Sequence, residues 1–250
     1  MSQTSPGVAI IIPAKDEQAR IGATVRSAAG LPAADLVIVV DDGSTDRTAA
    51  EATAAGATVI AHPRNRGKAA AMETGAAAVT AIESRETARP APRALLFLDA
   101  DLEDSAAKAA PLIEPVINGE ADMTIAVLPA QSHAGGGRGL VVDLSREGIA
   151  RATGWAPRQP LSGQRCLTRS AFEAALPLAP GWGVETGLTI DLLRQGYRAL
   201  EVDVSLHHRV TGTDWKAQVH RGKQYAGVLR ALVTRGVRPS PPSRLRRTRA

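Results

Sequence analysis

The hydrophobic positions of this chain fall into short apolar runs that alternate with longer amphipathic segments through the first half. The runs are rich in valine, isoleucine and leucine, which is typical of buried strands, and the segments between them show helical periodicity. Strands that alternate with helices need crossover connections, so the pattern predicts an α/β fold with a mostly parallel sheet. The predicted strands span residues 8–12, 36–40, 58–61, 94–98 and 123–127, and the predicted helices span 16–29, 45–55, 67–84 and 106–118.

The second half has a less regular pattern. Three consecutive glycines favour a mobile loop over 131–139, and residues 154–169 are rich in turn-forming residues. Asp214 is a suitable N-cap for a last helix. We expect one domain with two halves, 1–128 and 129–236, and a tail over 237–250 that is disordered. The remaining predicted elements are helices over 141–153, 172–176, 184–195 and 214–235 and a strand over 199–206.

Composition narrows the class of protein. Of the 250 residues 44% are hydrophobic, which is enough for a sizeable core, and the single cysteine, Cys166, excludes an internal disulfide. Because no apolar run is long enough to span a membrane, we expect a cytoplasmic protein without a transmembrane segment. The net charge of +5 arises largely in the arginine-rich tail, and an aromatic content of 3% argues against a nucleic-acid partner. A homodimer is left open.

Two carboxylates follow the fourth predicted strand directly, in the sequence ALLFLDAD. In an open α/β sheet, ligands bind at the carboxyl ends of the strands. Asp99 and Asp101 are two residues apart and could both face one hard cation, which prefers oxygen ligands. The simpler alternative is a turn in which one of the two acids caps the next helix.

Other polar loops should reach the same edge of the sheet. The first two strands run into the sequences PAKDE and DDGSTD, and Gly43 in the second would permit close approach of the backbone. The sequence RNRGK places cations at a predicted helix N-terminus, a combination that favours phosphate. Ala69 excludes a Walker A loop, and no G-x-G-x-x-G motif follows the first strand, so a dehydrogenase-type dinucleotide fold is not indicated.

Together, the sequences IIIPAKDEQARIGATV, VIVVDDGSTDRTAAEA, NRGKAAAMETG and LFLDADLED resemble the nucleotide-sugar domain of GT-A glycosyltransferases of the family-2 group. The resemblance implies a Rossmann-like, mostly parallel sheet with flanking helices, in which 1–128 is the nucleotide-sugar half and 129–236 the acceptor half. It also implies a divalent metal cofactor, Mg²⁺ or Mn²⁺. The residues it assigns to the nucleotide sugar are Pro13, Ala14, Glu17, Asp42, Lys68, Asp99 and Ala100. It makes Asp101 a catalytic residue and the main metal ligand, with Asp99 as a second metal ligand beside it.

The second half is similar to the glucosyl-3-phosphoglycerate synthases, in the stretch from QPLSGQRCLTR through GWGVETG to LHHR. This similarity implies that Glu185 is a catalytic carboxylate on the acceptor side and that His208, or alternatively His207, is the third metal ligand. Arg138, Gly163 and Arg165 join Glu185 as predicted acceptor contacts. Members that use 3-phosphoglycerate carry polar residues at positions where this chain has the apolar residues Leu140, Val141 and Val210.

The expected function is transfer of a hexose, glucose by the resemblance, from a UDP-sugar to a small acidic acceptor. Retention of the anomeric configuration needs little help from a protein base, whereas an inverting reaction would use Glu185 or a neighbouring acid as the general base. A polyprenyl-phosphate or other family-2 glycosyltransferase is the first alternative. A sugar-phosphate nucleotidyltransferase and a non-catalytic nucleotide-sugar binder are the others.

Overall fold

A computed structural model describes residues 7–87, 91–129, 138–206 and 215–238, and it contains one seven-stranded sheet. The strand order is β3-β2-β1-β4-β6-β5-β7. All pairings are parallel except those of β6, which runs antiparallel to both β4 and β5. The predicted α/β fold with a mostly parallel sheet is therefore confirmed. The strands are β1 (Val8–Ala14), β2 (Ala34–Asp41), β3 (Thr58–Ala61), β4 (Ala94–Phe97), β5 (Met123–Val127), β6 (Arg165–Leu167) and β7 (Ala199–Asp203).

Helices cover both faces of the sheet, and each face has its own apolar core. One core joins the sheet to α1 and a 3-10 helix, the other joins it to α3, α6 and α7, and a third cluster joins α5, α7 and α8. The helices are α1 (Ile21–Ala29), α2 (Thr48–Ala54), α3 (Lys68–Glu83), α4 (Glu114–Ile117), α5 (Arg138–Thr153), α6 (Arg169–Ala174), α7 (Val184–Arg194) and α8 (Trp215–Thr234), with 3-10 helices at Glu103–Leu112 and Gly181–Gly183.

Three of the differences between the structure and the sequence prediction have a physical reason. Strand β6 lies in the stretch predicted to be turns, because three residues are too few to show an alternating pattern. The helix predicted over 106–118 is a 3-10 helix followed by α4, since Pro111 and Pro115 each lack a backbone N–H donor. Helix α1 begins at Ile21 rather than at residue 16, because residues 16–18 bond to the loop after β2.

Some predictions concern residues outside the described part of the chain. These are residues 131–137 of the glycine-rich loop predicted over 131–139, both candidate metal histidines, His207 and His208, and residues 239–250 of the predicted tail. The last two residues of that predicted loop, 138 and 139, belong to the first turn of α5 instead. The division of the domain at residue 128 stays a prediction. Among the described residues, no helix combines the length and hydrophobicity needed to cross a bilayer.

Cys166 in the middle of β6 gives a direct test of the sheet. It is fully buried between β4 and β5, and burial raises the pKa of its thiol to about 12. Because the thiolate is the reactive form, we expect no labelling by iodoacetamide at pH 8 until the protein is unfolded. Rapid labelling of the native protein, measured by mass spectrometry, would contradict the central position of β6.

Candidate functional site

The loops after β1 and β2 form one hydrogen-bonded unit at the carboxyl edge of the sheet. Lys15 Nζ donates to the Gly43 carbonyl at 2.9 Å, and the Asp16 amide donates to Ser44 Oγ at 2.9 Å. In return, Asp16 Oδ1 accepts from the Thr45 amide at 2.7 Å. Pro13 and Ala14 end β1 beside this unit. The first part of the predicted nucleotide site is thus cross-linked by hydrogen bonds of the protein itself.

Asp42 is buried beneath this edge and holds the loop that precedes α3. Its carboxylate accepts from the amides of Arg66 and Gly67, both at 2.8 Å, and lies 2.7 Å from His62 Nδ1. Burial alone would raise the pKa of Asp42, but these hydrogen bonds outweigh burial and hold the pKa below its usual value. Asp42 is therefore ionised at neutral pH and already has three donors.

Gly43 allows the loop before α3 to reach Asp42. It adopts a φ of +73°, which glycine tolerates, and a Cβ added here would lie 2.6 Å from the carbonyl carbon of Arg64. The close backbone approach that Gly43 was predicted to permit is thus made by the loop before α3. This contact brings the cations of residues 64–68 to the edge of the sheet.

Lys68, at the first position of α3, links two acids from opposite halves of the chain. Its Nζ lies 2.8 Å from Asp99 Oδ1 and 3.2 Å from Glu185 Oε1. Desolvation alone would lower the pKa of Lys68, but the two carboxylates outweigh it and raise the pKa above its usual value. The structure thus brings together three residues that the sequence analysis assigned separately to donor and acceptor.

The turn before β6 closes around Asp99. Gln164 Nε2 donates to Asp99 Oδ2 at 2.5 Å, so each carboxylate oxygen has a partner. Gly163 faces the same pair, and a Cβ added there would overlap Lys68 Nζ and lie 2.9 Å from Asp99 Oδ1. The lack of a side chain at Gly163 makes room for the ion pair, and its contact with the acceptor stays a prediction.

Asp101 differs from Asp99 in having no hydrogen bond or ion pair within the described part of the chain. It is partly exposed, and the Ala100 carbonyl beside it accepts from Thr24 Oγ1 at 2.9 Å, which fixes the local backbone. Arg20 attracts Asp101 electrostatically without pairing with it, and a carboxylate in this situation on a fixed backbone is suited to a divalent cation. No cluster of three potential metal-ligating side chains occurs among the described residues, and His208 lies outside them.

Arg165 corrects one prediction. It was expected to contact the acceptor, but it is 1% exposed and its donors are directed to carbonyl and hydroxyl groups of the protein interior. The first residue of β6 points toward α7, because β6 is inserted antiparallel between two other strands. The prediction took Arg165 to lie in a turn-rich stretch, whereas it begins a central strand.

The remaining predicted residues have more limited descriptions. Glu17 forms an ion pair with Arg20 at 2.5 Å at the edge of the site. Arg138 begins α5, but its side chain is outside the described part of the structure. Both assignments stay predictions.

Three side chains at the site were not found by sequence reasoning. His62 orients Asp42 and contacts Thr74 Oγ1 at 3.0 Å, Gln164 fixes Asp99, and Thr189 Oγ1 donates to the Glu185 carbonyl at 2.8 Å. Only His62 had a signal in the sequence, since it follows the third predicted strand as Asp42 follows the second. Gln164 lies far along the chain from Asp99, whereas Thr189 is one helical turn from Glu185 within α7, a spacing that carries no functional signal.

Comparison with known proteins agrees with this geometry. Residues 9–172, about two thirds of the chain, match the family model described as glycosyl transferase family 2. The chain belongs to glycosyltransferase family 2. Membership makes the protein a glycosyltransferase and confirms the family resemblance seen in its loops. No curated protein matches the sequence significantly.

Solved structures extend the match to the second half of this family 2 protein. A glucosyl-3-phosphoglycerate synthase from Mycobacterium tuberculosis, in complex with Mn²⁺, UDP and phosphoglyceric acid, is 27% identical with a TM-score of 0.74. The alignment covers 95% of this chain and 80% of that one. The same enzyme with Mg²⁺ and UDP gives 27% identity and a TM-score of 0.73, covering 95% and 81% of the two chains. The predicted GT-A fold is therefore confirmed over nearly the whole chain.

Proposed function

We propose that this protein transfers a hexose from a UDP-sugar to a small acidic acceptor, with a divalent metal ion at Asp101. The observation that carries the proposal is the bridge of Lys68 to Asp99 and Glu185 beside the carboxylate of Asp101. It places a cation and metal-ligating oxygen at the edge of the sheet where a diphosphate would bind. Glucose is the proposed hexose, because the similar synthase has been solved with UDP-glucose.

Lys68 is the residue whose partners would change when the donor binds. A diphosphate competes with Asp99 and Glu185 for its ammonium group, since all three offer anionic oxygen. Transfer of Lys68 to the diphosphate would release one oxygen of Asp99 toward the metal or the sugar, and would release Glu185 toward the acceptor. We therefore assign Lys68 to stabilising the negative charge that grows on the leaving UDP.

The nucleoside would lie against the hydrogen-bonded loops after β1 and β2. Asp42 has accepted three hydrogen bonds, so its carboxylate has capacity for one further donor, such as the N–H of a base. Pro13, Ala14 and Glu17 line the same edge. Ala100 lies between Asp99 and Asp101, the two acids that follow β4. These contacts are proposed on position and on the family resemblance.

The metal assignment follows from the different contacts of Asp99 and Asp101. Asp101 and His208 are the proposed ligands, with Asp99 as a further ligand once Lys68 has moved. When bound, Mg²⁺ or Mn²⁺ would neutralise the diphosphate and act as a Lewis acid. The Thr24 contact to the Ala100 carbonyl holds the Asp101 backbone in place for this purpose.

The acceptor would bind between Gly163, Glu185 and the start of α5. Arg138 is the proposed contact to an acidic group on the acceptor, now without help from the buried Arg165. The solved synthase complexes include phosphoglyceric acid and, in another case, glycerol 3-phosphate. Leu140 is exposed on the first turn of α5, so an apolar group lies beside this position and the acceptor can differ from those molecules.

The test is a screen for release of the nucleoside diphosphate, UDP or GDP, from the donor. Purified protein is incubated with UDP-glucose, UDP-galactose and GDP-mannose, with Mn²⁺ or EDTA, and with 3-phosphoglycerate or without an acceptor. We expect UDP release from one UDP-hexose only with the metal, and faster release with an acidic acceptor. Pyrophosphate-dependent formation of UTP from UDP-glucose would indicate a nucleotidyltransferase instead, and metal-dependent binding without any turnover would indicate a binding protein.

A further inference from the structure

Arg165 is a buried cation for which the proposed reaction has no direct use. It is among the largest fully buried side chains of the protein, and its strand neighbours are Phe97 on β4 and Ile125 on β5. It forms no ion pair within the described part of the chain, and burial lowers the pKa of its guanidinium to about 10, against the opposing effect of Glu185 and Glu201. A charge in such surroundings costs stability, so its presence needs another reason.

The guanidinium connects two parts of the site. On one side Nε donates to the Ser162 carbonyl at 2.8 Å and Nη2 to the Pro160 carbonyl at 2.9 Å. On the other side Nη1 donates to Thr189 Oγ1 at 2.8 Å and to the Glu185 carbonyl at 3.2 Å. The planar fork of one arginine therefore fixes the turn over 160–162 to the first turn of α7.

Each of these two parts carries a residue of the proposed site. The turn continues into Gly163 and Gln164, and Gln164 holds Asp99 while its Oε1 lies 3.2 Å from Ser162 Oγ. The first turn of α7 carries Glu185, whose carboxylate meets Lys68. Arg165 and Lys68 thus each connect the part of the chain that holds Asp99 to the part that carries Glu185, at two different places.

We propose that Arg165 is a positioning residue, which fixes the Asp99 turn and the Glu185 helix at the separation that sugar transfer requires. The inference rests on the proposed function and adds to it a residue that touches neither substrate. When a donor draws Lys68 away from the two acids, the contacts of Arg165 remain as the connection between them. An apolar residue of similar length would fill the space but would leave the two parts free to move apart.

The experiment compares Arg165→Met with Arg165→Lys and with a matched control, Arg169→Met. Arg169 is also a buried arginine, but it binds Thr80 and Glu83 at the opposite edge of the sheet. For each variant, the midpoint of thermal unfolding, the Kd for UDP with Mn²⁺ and the kcat for UDP release from UDP-glucose are measured. If the parent protein releases no UDP, that result contradicts the proposed function, and it contradicts the role of Arg165 in sugar transfer as well.

With an active parent protein, we expect Arg165→Met to lower kcat by about 10²-fold, because a displacement near 1 Å has that effect. Its Kd for UDP should stay within threefold, since Asp42 and Asp101 are untouched, and Arg165→Lys should recover part of kcat. Arg169→Met should lower the unfolding midpoint and leave kcat within threefold. The inference is overturned if Arg165→Met keeps its kcat, if UDP affinity falls in parallel with kcat, or if lysine does no better than methionine.

Discussion

Replacement of Asp101 by alanine is expected to abolish metal-dependent binding of UDP. Of the two acids after β4, Asp101 is the one that makes no hydrogen bond or ion pair among the described residues, where Arg20 attracts it only electrostatically, so it is the group best placed to bind a cation directly. Loss of an outer-shell partner already costs about 10–100-fold in metal affinity, and loss of a ligand should cost at least about 100-fold. Calorimetric titration with UDP at fixed Mn²⁺ measures this change.

The control for this prediction is Asp104→Ala, which removes an exposed acid three residues further on. It should leave Mn²⁺-dependent UDP binding unchanged. Since Asp101 makes no hydrogen bond or ion pair within the described chain, Asp101→Ala should also unfold within about 2 °C of the parent protein, no more than the shift that about 1 kcal/mol produces in a domain of this size. Equal Mn²⁺ dependence in Asp101→Ala and in the parent would show that the metal binds elsewhere.

Replacement of Lys68 by methionine is expected to lower UDP release from UDP-glucose by about 10²–10³-fold, the effect of removing one donor that stabilises a developing anion. Lys68 is half-buried between Asp99 and Glu185, so its loss also leaves two acids close together without a cation. The two carboxylates raise the pKa of Lys68 above its usual value, so the lysine contributes stability throughout the pH range below its usual pKa. We therefore expect Lys68→Met to have a lower unfolding midpoint at pH 7. Steady-state kinetics and thermal unfolding at that pH check both effects.

Lys108→Met is the matched control, because Lys108 is exposed on the 3-10 helix at Glu103–Leu112. It should change neither kcat nor the unfolding midpoint. Arginine is not expected to replace Lys68, since the space in front of its ammonium group exists only because residue 163 is glycine. Full activity of Lys68→Met would exclude any role of this lysine at the leaving group.

The sequence predicted those parts of the site that lie at the ends of regular strands. Five strands and the loops after them could be identified because apolar runs change abruptly to polar residues, as at Asp42 and Asp99. All five were found in the structure within a few residues of the predicted bounds. The edge where the acids meet follows from the parallel arrangement alone.

The sequence could not predict which side chains bind each other across the site. The contacts of Gln164 with Asp99 and of Arg165 with Glu185 depend on β6, a strand of three residues whose antiparallel insertion leaves no periodic signal. For the same reason Arg165 was predicted to contact the acceptor. Asp42 was predicted to contact the nucleotide sugar, but two of its hydrogen bonds hold the loop before α3.

The central claim is that the edge of the sheet between Asp101, Lys68 and Glu185 binds a UDP-sugar together with a divalent metal ion. Its most direct test is thermal unfolding of the parent protein with UDP-glucose, in Mn²⁺ and in EDTA. At a hundred times its Kd, the donor should stabilise the fold by about 2.7 kcal/mol in Mn²⁺, and much less in EDTA. Stabilisation of equal size in both conditions, or none from any nucleotide sugar in Mn²⁺, would contradict the account.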